Sequence, residues 1–348
     1  MMRFFALLFL LVLASTAQSQ TRQENPSTPT GHSCAVPDMR THIRPAPDGM
    51  PTVIRTGVRV IDIREINDVD QTISIDLAIR RSWQDDRLAG LEGCKLELGS
   101  VWFPELVLLN SGRLFERWPE TVTIGPGGAV TYLQRISGTL ASYHALRDFP
   151  FDFQSIDLSF ILLDYDPGNA LIELDTDFVG IYDRLNISDW RIKGVAAQID
   201  DGFIADAFDE ARTKLVLTID AERIRAFYVW KIILPISLIV FMSWSVFWID
   251  PAQYGPQIGL SATSMLTIIA FIFAATNMLP PLGYFTLMDF FIGGATIFVF
   301  LALLVSLTTT YLNTIEFREG AKILDKACRF VFPLAYVAFN WFVFRSVL

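Results

Sequence analysis

The stretch Ile258–Leu279, IGLSATSMLTIIAFIFAATNML, carries no charge and is long enough to cross a membrane, yet one of its faces is not greasy. At alternating steps of four and three, that face runs Gly259, Thr263, Leu266, Ala270, Phe273, Asn277. Residues at this spacing share one stripe of an α-helix. The opposite side holds Leu260, Met265, Ile268, Ile269 and Ile272. Small and polar residues at one end of a stripe, with bulky apolar ones in its middle, suit a water-filled pore with a hydrophobic constriction. They also suit close helix packing in lipid, and the stripe alone does not separate the two.

Working outward, the chain divides sharply. Residues 1–20 read as a secretory leader: Arg3 gives the positive start, Phe4–Ala14 an apolar core too short to span, and Ser15–Gln20 a small-residue cleavage zone. The Pro/Ser/Thr-rich stretch 21–51 reads as a flexible N-terminal segment. Between Thr21 and Phe227 lie 21 Lys/Arg and 32 Asp/Glu, against 6 and 5 from Tyr228 onward. The acidity is confined to the exported part, which argues against nucleic-acid binding and for a surface that attracts cations.

Residues 52–226 alternate with period two, the pattern of half-buried strands. Val58–Ile63 and Thr72–Ile79 are clear cases, followed by Ala129–Gly138, Ser155–Leu163, Trp190–Ile199 and Lys214–Ile219. With turns at Gly125–Gly128 and Asp166–Asn169, this predicts an all-β, immunoglobulin-like antiparallel sandwich. Residues 227–348 predict an all-α bundle of four transmembrane helices, near 228–249, 257–279, 287–312 and 324–347. Arg318, Lys322 and Lys326 then fall in an inner loop, which fits the positive-inside rule.

Chemistry is sparse. His32, His42 and His144 are scattered and read as surface or turn positions. Cys34 and Cys94 share the exported side and could pair, whereas Cys328 lies in an apolar segment. No catalytic triad, zinc spacing, P-loop or dinucleotide fingerprint is present, so neither an enzyme nor a cofactor is expected.

Arg147-Asp148-Phe149-Pro150-Phe151-Asp152-Phe153-Gln154, between two strand candidates, resembles the signature loop of the pentameric ligand-gated ion channels, the Cys-loop receptor superfamily. In animal members a cysteine pair closes this loop. Ser142 and Ile156 occupy the matching positions, so that bond is absent, as in the prokaryotic branch. Trp83–Leu88 and Trp102–Glu105 are similar to the family's W-x-D-x-R-L and W-x-P-D segments. Pro235, Pro256–Leu260, Met265–Thr267 and Asn277–Pro280 match its first two membrane helices. The likeness runs from near Val53 to the end of the chain.

The resemblance implies a homopentamer of this chain with four further copies, lodged in the inner membrane with its sandwich on the periplasmic side. Gly259, Thr263, Leu266, Ala270, Phe273 and Asn277 would line the pore. A small-molecule agonist, or a proton or divalent modulator, would act between sandwiches, near the Asp201–Arg212 hairpin with Phe203 and Phe208, and near Leu163, Asp164, Tyr165 and Trp102. Asp68, Asp152, Arg223 and Pro280 would couple sandwich to pore. Gln257 stands where anion-selective members carry Arg, and the acidic exported domain favours permeant cations. An anion channel of the same family, or a membrane-tethered sandwich sensor without a pore, are the competing readings.

Overall fold

A computed structural model describes residues 34–35, 41–45, 49–116, 120–204, 211–250, 252–276 and 281–347. The leader and the sites expected at Phe208, Asn277 and Pro280 lie outside the described residues. Twelve strands precede four long helices: β1 (Thr52–Asn67), β2 (Thr72–Gln84), β3 (Lys95–Glu97), β4 (Leu106–Leu108), β5 (Ser111–Glu116), β6 (Thr121–Ile124), β7 (Ala129–Ala141), β8 (Phe153–Leu162), β9 (Ala170–Leu174), β10 (Gly180–Ile181), β11 (Trp190–Phe203) and β12 (Arg212–Arg223).

These strands form two sheets, ordered β10-β1-β2-β7-β6-β3 and β11-β12-β8-β4, with β5 on β7 and β9 on β1. The period-two pattern places Ile63, Ile75, Leu77, Ile156, Leu158, Leu217 and Ile219 in one shared core. All pairs are antiparallel except β1 with β9 and β10, which run parallel to it. Those two short strands return along an edge that alternation alone does not reveal. At the Gly125–Gly128 turn, Gly128 has φ +87° and a Cβ there would lie 2.3 Å from the Asp85 carbonyl, so no side chain fits. Within the segment read as flexible, Cys34 is disulfide-bonded to Cys94, and Arg87 donates to the Ile43 carbonyl at 3.0 Å. Part of that segment is therefore docked on the sandwich.

The helices are α1 (Ala226–Trp248), α2 (Tyr254–Thr276), α3 (Leu287–Thr314) and α4 (Arg318–Phe344), each long and apolar enough to cross a membrane. Val229–Ile233 forms a wider π-helical turn ahead of Pro235, which has no N–H to keep the regular ladder. The last helix starts at Arg318 rather than near residue 324. The connection from α3 is a tight turn with Glu316 at φ +64°, so Arg318, Lys322 and Lys326 belong to the polar first turns of α4 and not to a loop. Apolar content marks only the part of a helix that needs lipid, and these turns do not.

The β5–β7 pairing is the closest approach in the first sheet: a Cβ on Gly138 would stand 2.2 Å from the Arg113 carbonyl. Replacing Gly138 with Ala should prise β5 from β7 and destabilise the chain by about 1–3 kcal/mol. A thermal melt of the detergent-solubilised protein identical to the parent's would refute that packing.

Candidate functional site

The loop between β7 and β8 descends from the sandwich onto the helices. Its Leu146 and Phe149 are fully buried, and they belong to the core cluster of the membrane domain rather than to that of the sandwich. Phe149 stacks edge-on against Tyr228 with ring centroids 4.8 Å apart, and Phe151 against Phe344 at 5.5 Å. The Tyr284 hydroxyl accepts from the Leu146 N–H at 3.1 Å, and the Leu287 N–H donates to the Arg147 carbonyl at 3.0 Å. One loop thus touches α1, α4 and the α2–α3 connection together.

Above that contact, Arg223 is 5% exposed at the last residue of β12. Its Nε and Nη2 donate to the two Asp152 oxygens at 2.7 and 3.0 Å. Nη1 and Nη2 donate to the two Asp68 oxygens at 2.6 and 3.0 Å. Two bidentate pairs take four of the five guanidinium N–H groups. Its faces are covered by aromatic rings: Trp190 at 4.1 Å, Phe149 at 4.8 Å and Tyr228 at 6.0 Å. Burial opposes the Arg223 charge, but the bonds to Asp152 and Asp68 outweigh it and raise its pKa above the ordinary value. Burial would likewise push the Asp68 carboxyl up, yet His144 and Arg223 hold it below its usual 3.8.

Asp68, Asp152 and Arg223, expected from scattered positions, are therefore in one contact. Sequence reasoning missed two members. His144 is 1% exposed, not a surface position, because its Nδ1 lies 3.1 Å from Asp68 and its Nε2 3.0 Å from the Ser142 hydroxyl. Gln154 donates to Asp152 at 2.7 Å and brackets Ala145 through both backbone groups. The only hint of either was nearness to the Pro loop, since a single His or Gln has no pattern. Val69, at the tip of the β1–β2 turn, faces Leu282–Phe285 across a cavity of about 600 Å³ that α2 and α3 also line.

On α2, Gly259, Thr263, Leu266, Ala270 and Phe273 are all exposed in the single chain, Leu266 and Phe273 at 69% and 77%. The buried side is Gln257, Ser261, Ser264, Ile268 and Ala275. Ser261 and Ser264 donate to carbonyls four residues back, so they enter the bundle without leaving a donor unpaired. Met265, Leu260 and Ile272 pack against the membrane core, whereas Ile269 is 41% exposed and not on the buried side as expected. The stripe lies off the surface that α2 packs against the other helices.

The expected ligand residues fare less evenly. Trp102 is 2% exposed, T-stacked on Trp83 and bonded through Nε1 to the Tyr165 hydroxyl at 2.9 Å. It is a core residue and cannot touch a ligand. Tyr165 and Leu163 are half-buried and Asp164 is exposed beside them. Phe203 already carries a cation, with Lys214 Nζ 4.4 Å from its ring centre. Among the described residues no His, Cys, Asp or Glu cluster could hold a metal ion.

A sandwich docked through one loop on four membrane helices, with a free stripe on the second, defines a ligand-gated channel subunit. The family model for the neurotransmitter-gated ion-channel ligand binding domain matches residues 37–223, and that for the neurotransmitter-gated ion-channel transmembrane region matches residues 232–319. The chain belongs to the neurotransmitter-gated ion-channel family. It is 26% identical over 296 residues to a proton-gated ion channel of Gloeobacter violaceus, covering 83% of this chain and 82% of that one. It is also 23% identical over 316 residues to the gamma-aminobutyric acid receptor subunit rho-1 of Mus musculus, covering 87% of this chain and 65% of that one. The chain thus spans about two thirds of the length of the animal subunit.

Two outcomes test the junction. Asp152→Ala or Arg223→Ala alone should cost about 3–5 kcal/mol of stability, because each strands a buried charge, and the double variant should cost less than the sum. Strictly additive losses in thermal unfolding would mean the two side chains do not meet. A carboxylate held below its unfolded value of 3.8 contributes stability above that pH and loses it as pH falls through the lower, folded value. Melting temperature should therefore drop below about pH 4, and less steeply in Asp68→Asn. Equal slopes in parent and variant would place the titration elsewhere.

Proposed function

We propose that the protein is a homopentameric, cation-conducting channel, probed and opened from the sandwich side, with α2 lining the pore. The observation that carries this reading is the exposed stripe Gly259–Phe273 on a helix whose other face is packed. Small and polar residues facing lipid would be costly, and five copies around an axis give that face water instead. Leu266 repeated around the ring makes a dry collar that an ion crosses only by shedding water, with Phe273 forming a second collar nearer the sandwich. Asn277 and Pro280 complete the set, as outer pore residue and as the part of the α2–α3 connection on which the junction acts.

Cation selectivity rests on charge. The described part of α2 carries no cationic side chain, and Gln257, at the position where anion-selective members have Arg, is buried against the bundle instead of facing the mouth. Asp250 lies in the α1–α2 connection at the inner end, and the exported domain is acidic on balance. The ligand region is the interface below the 201–212 hairpin, with Phe203, Phe208, Leu163, Asp164 and Tyr165 near its wall, and Trp102 is excluded from it by burial. Because Lys214 occupies the Phe203 ring, an aromatic cage for an amine is weaker than the sequence suggests, and a proton or divalent ion is an equal candidate as stimulus. The relative from Gloeobacter violaceus is named as proton-gated. A leader at 1–20 would deliver the chain to an inner membrane, and the absence of cysteine at positions 142 and 156 fits the prokaryotic branch.

The test combines mass and current. Native mass in detergent should be five times the 39.2 kDa chain, less the leader; a stable monomer or dimer removes the pore. In bilayers under asymmetric NaCl, current should reverse near the sodium equilibrium potential, and reversal near chloride's would make the channel anionic. Leu266→Ser should wet the collar and give current without stimulus or at several-fold lower stimulus. Met265→Ser, on the packed side, should not; if it leaks while Leu266→Ser gates normally, the helix is rotated from this assignment.

A further inference from the structure

One buried charge in the membrane domain has no role in the junction or the stripe. Asp325, in the early turns of α4, is 1% exposed and faces Gln257 at the start of α2, which is wholly buried. Gln257 Nε2 donates to Asp325 Oδ2 over a long 3.5 Å. Asp325 Oδ1 and Gln257 Oε1, both shut away from solvent, have no donor at all. Buried acceptors without donors are costly, and a carboxylate charge more so.

The surroundings do not supply the missing partner. Arg329, one turn along α4, is the nearest cation, but its Nε donates to the Phe247 carbonyl at 2.9 Å and its guanidinium leans over Trp248 at 5.7 Å. Cys328 lies beside Asp325 on α4, and Asp250, from the α1–α2 connection, adds a like charge. α2 presents only the Gln257 amide, and the inner half of α3 carries no charged side chain. Lys322 and Lys326 point outward and are exposed. A carboxylate facing Arg at this place would be neutralised by it. Facing an amide, it is neutralised by a proton.

We propose that Asp325 is a proton-binding site at the inner end of the bundle, its acid O–H donating to Gln257 Oε1 while Gln257 Nε2 donates back. One proton fills both empty acceptors and closes a reciprocal acid–amide pair between α4 and α2. Ionisation releases that proton to the inner aqueous phase and leaves a bare charge near Asp250. The charge loosens the tie, and the inner end of α2, two residues before Gly259, is freed to tilt. Proton binding stands on the geometry alone, while its effect on current rests on the channel reading above.

The deciding experiment is infrared difference spectroscopy on the full chain in lipid vesicles, stepped from about pH 5 to about pH 8. A buried carboxylic-acid carbonyl band should be present at the acidic end and vanish in both Asp325→Asn and Gln257→Arg. Gln257→Arg gives the intact carboxylate a cation and answers by itself if Asp325→Asn fails to assemble. No such band across the range, or a band unchanged in Gln257→Arg, overturns the site. In inside-out patches, raising the pH of the inner solution at constant outer pH should change open probability several-fold in the parent and not in the variants. A response that survives in Gln257→Arg refutes the link to the pore, and if the patches are silent the infrared band alone decides the site.

Discussion

The structure depends on one guanidinium. Arg223 ends the last strand of the sandwich three residues before the first membrane helix begins, and it is gripped by carboxylates from two different turns. Asp68 comes from the β1–β2 turn and Asp152 from the loop that plunges into the helices. Each contact fixes a direction: the bidentate forks set the angle of the strand end, and the Trp190, Phe149 and Tyr228 rings close the faces. A buried charge with four N–H groups held by two carboxylates has few alternative arrangements of similar energy. Leu146 and Phe149 below this knot belong to the core of the membrane domain, and Val69 beside it faces the α2–α3 connection.

The membrane domain solves a second problem with equally few charges. Its second helix has a polar buried side and an exposed side of small and bulky apolar residues, the inverse of a helix in a soluble bundle. Ser261 and Ser264 make this workable by bonding within their own helix, so close packing is gained without interhelical polar networks that would resist tilting. The exceptions are specific. Ser237 meets the Tyr336 hydroxyl at 3.1 Å, Arg329 meets the Phe247 carbonyl, and Gln257 meets Asp325. All three involve α4, and of these only the long Gln257–Asp325 contact reaches α2.

Much of this is legible in the residues. Alternation places every long strand, and the period-3.6 stripe of Ile258–Leu279 separates the exposed from the buried side of α2 except at Ile269. What stays hidden has a common cause: single residues whose meaning is made by a long-range partner. His144 looks like a surface residue until Asp68 and Ser142 arrive from both sides, and Gln154 is unremarked until it brackets Ala145. Trp102 shows the reverse error. Its motif reads as an interface wall, but its indole is taken up by Tyr165 and Trp83 in the core. The early start of α4 escapes because polar first turns carry no hydropathy signal, and β9 and β10 because parallel edge strands are too short to alternate.

The central claim is that the face of α2 bearing Ala270 and Phe273 meets water in the assembled protein, while Ile268 and Ala275 do not. It can be tested without knowing the stimulus. Single cysteines at these four positions, in a Cys328→Ser background and in lipid vesicles, would be exposed to a charged, membrane-impermeant thiol reagent and read by mass. The account predicts labelling at Ala270 and Phe273 and none at Ile268 or Ala275. Labelling at Ile268 with protection at Ala270, or no labelling at any of the four, would contradict it.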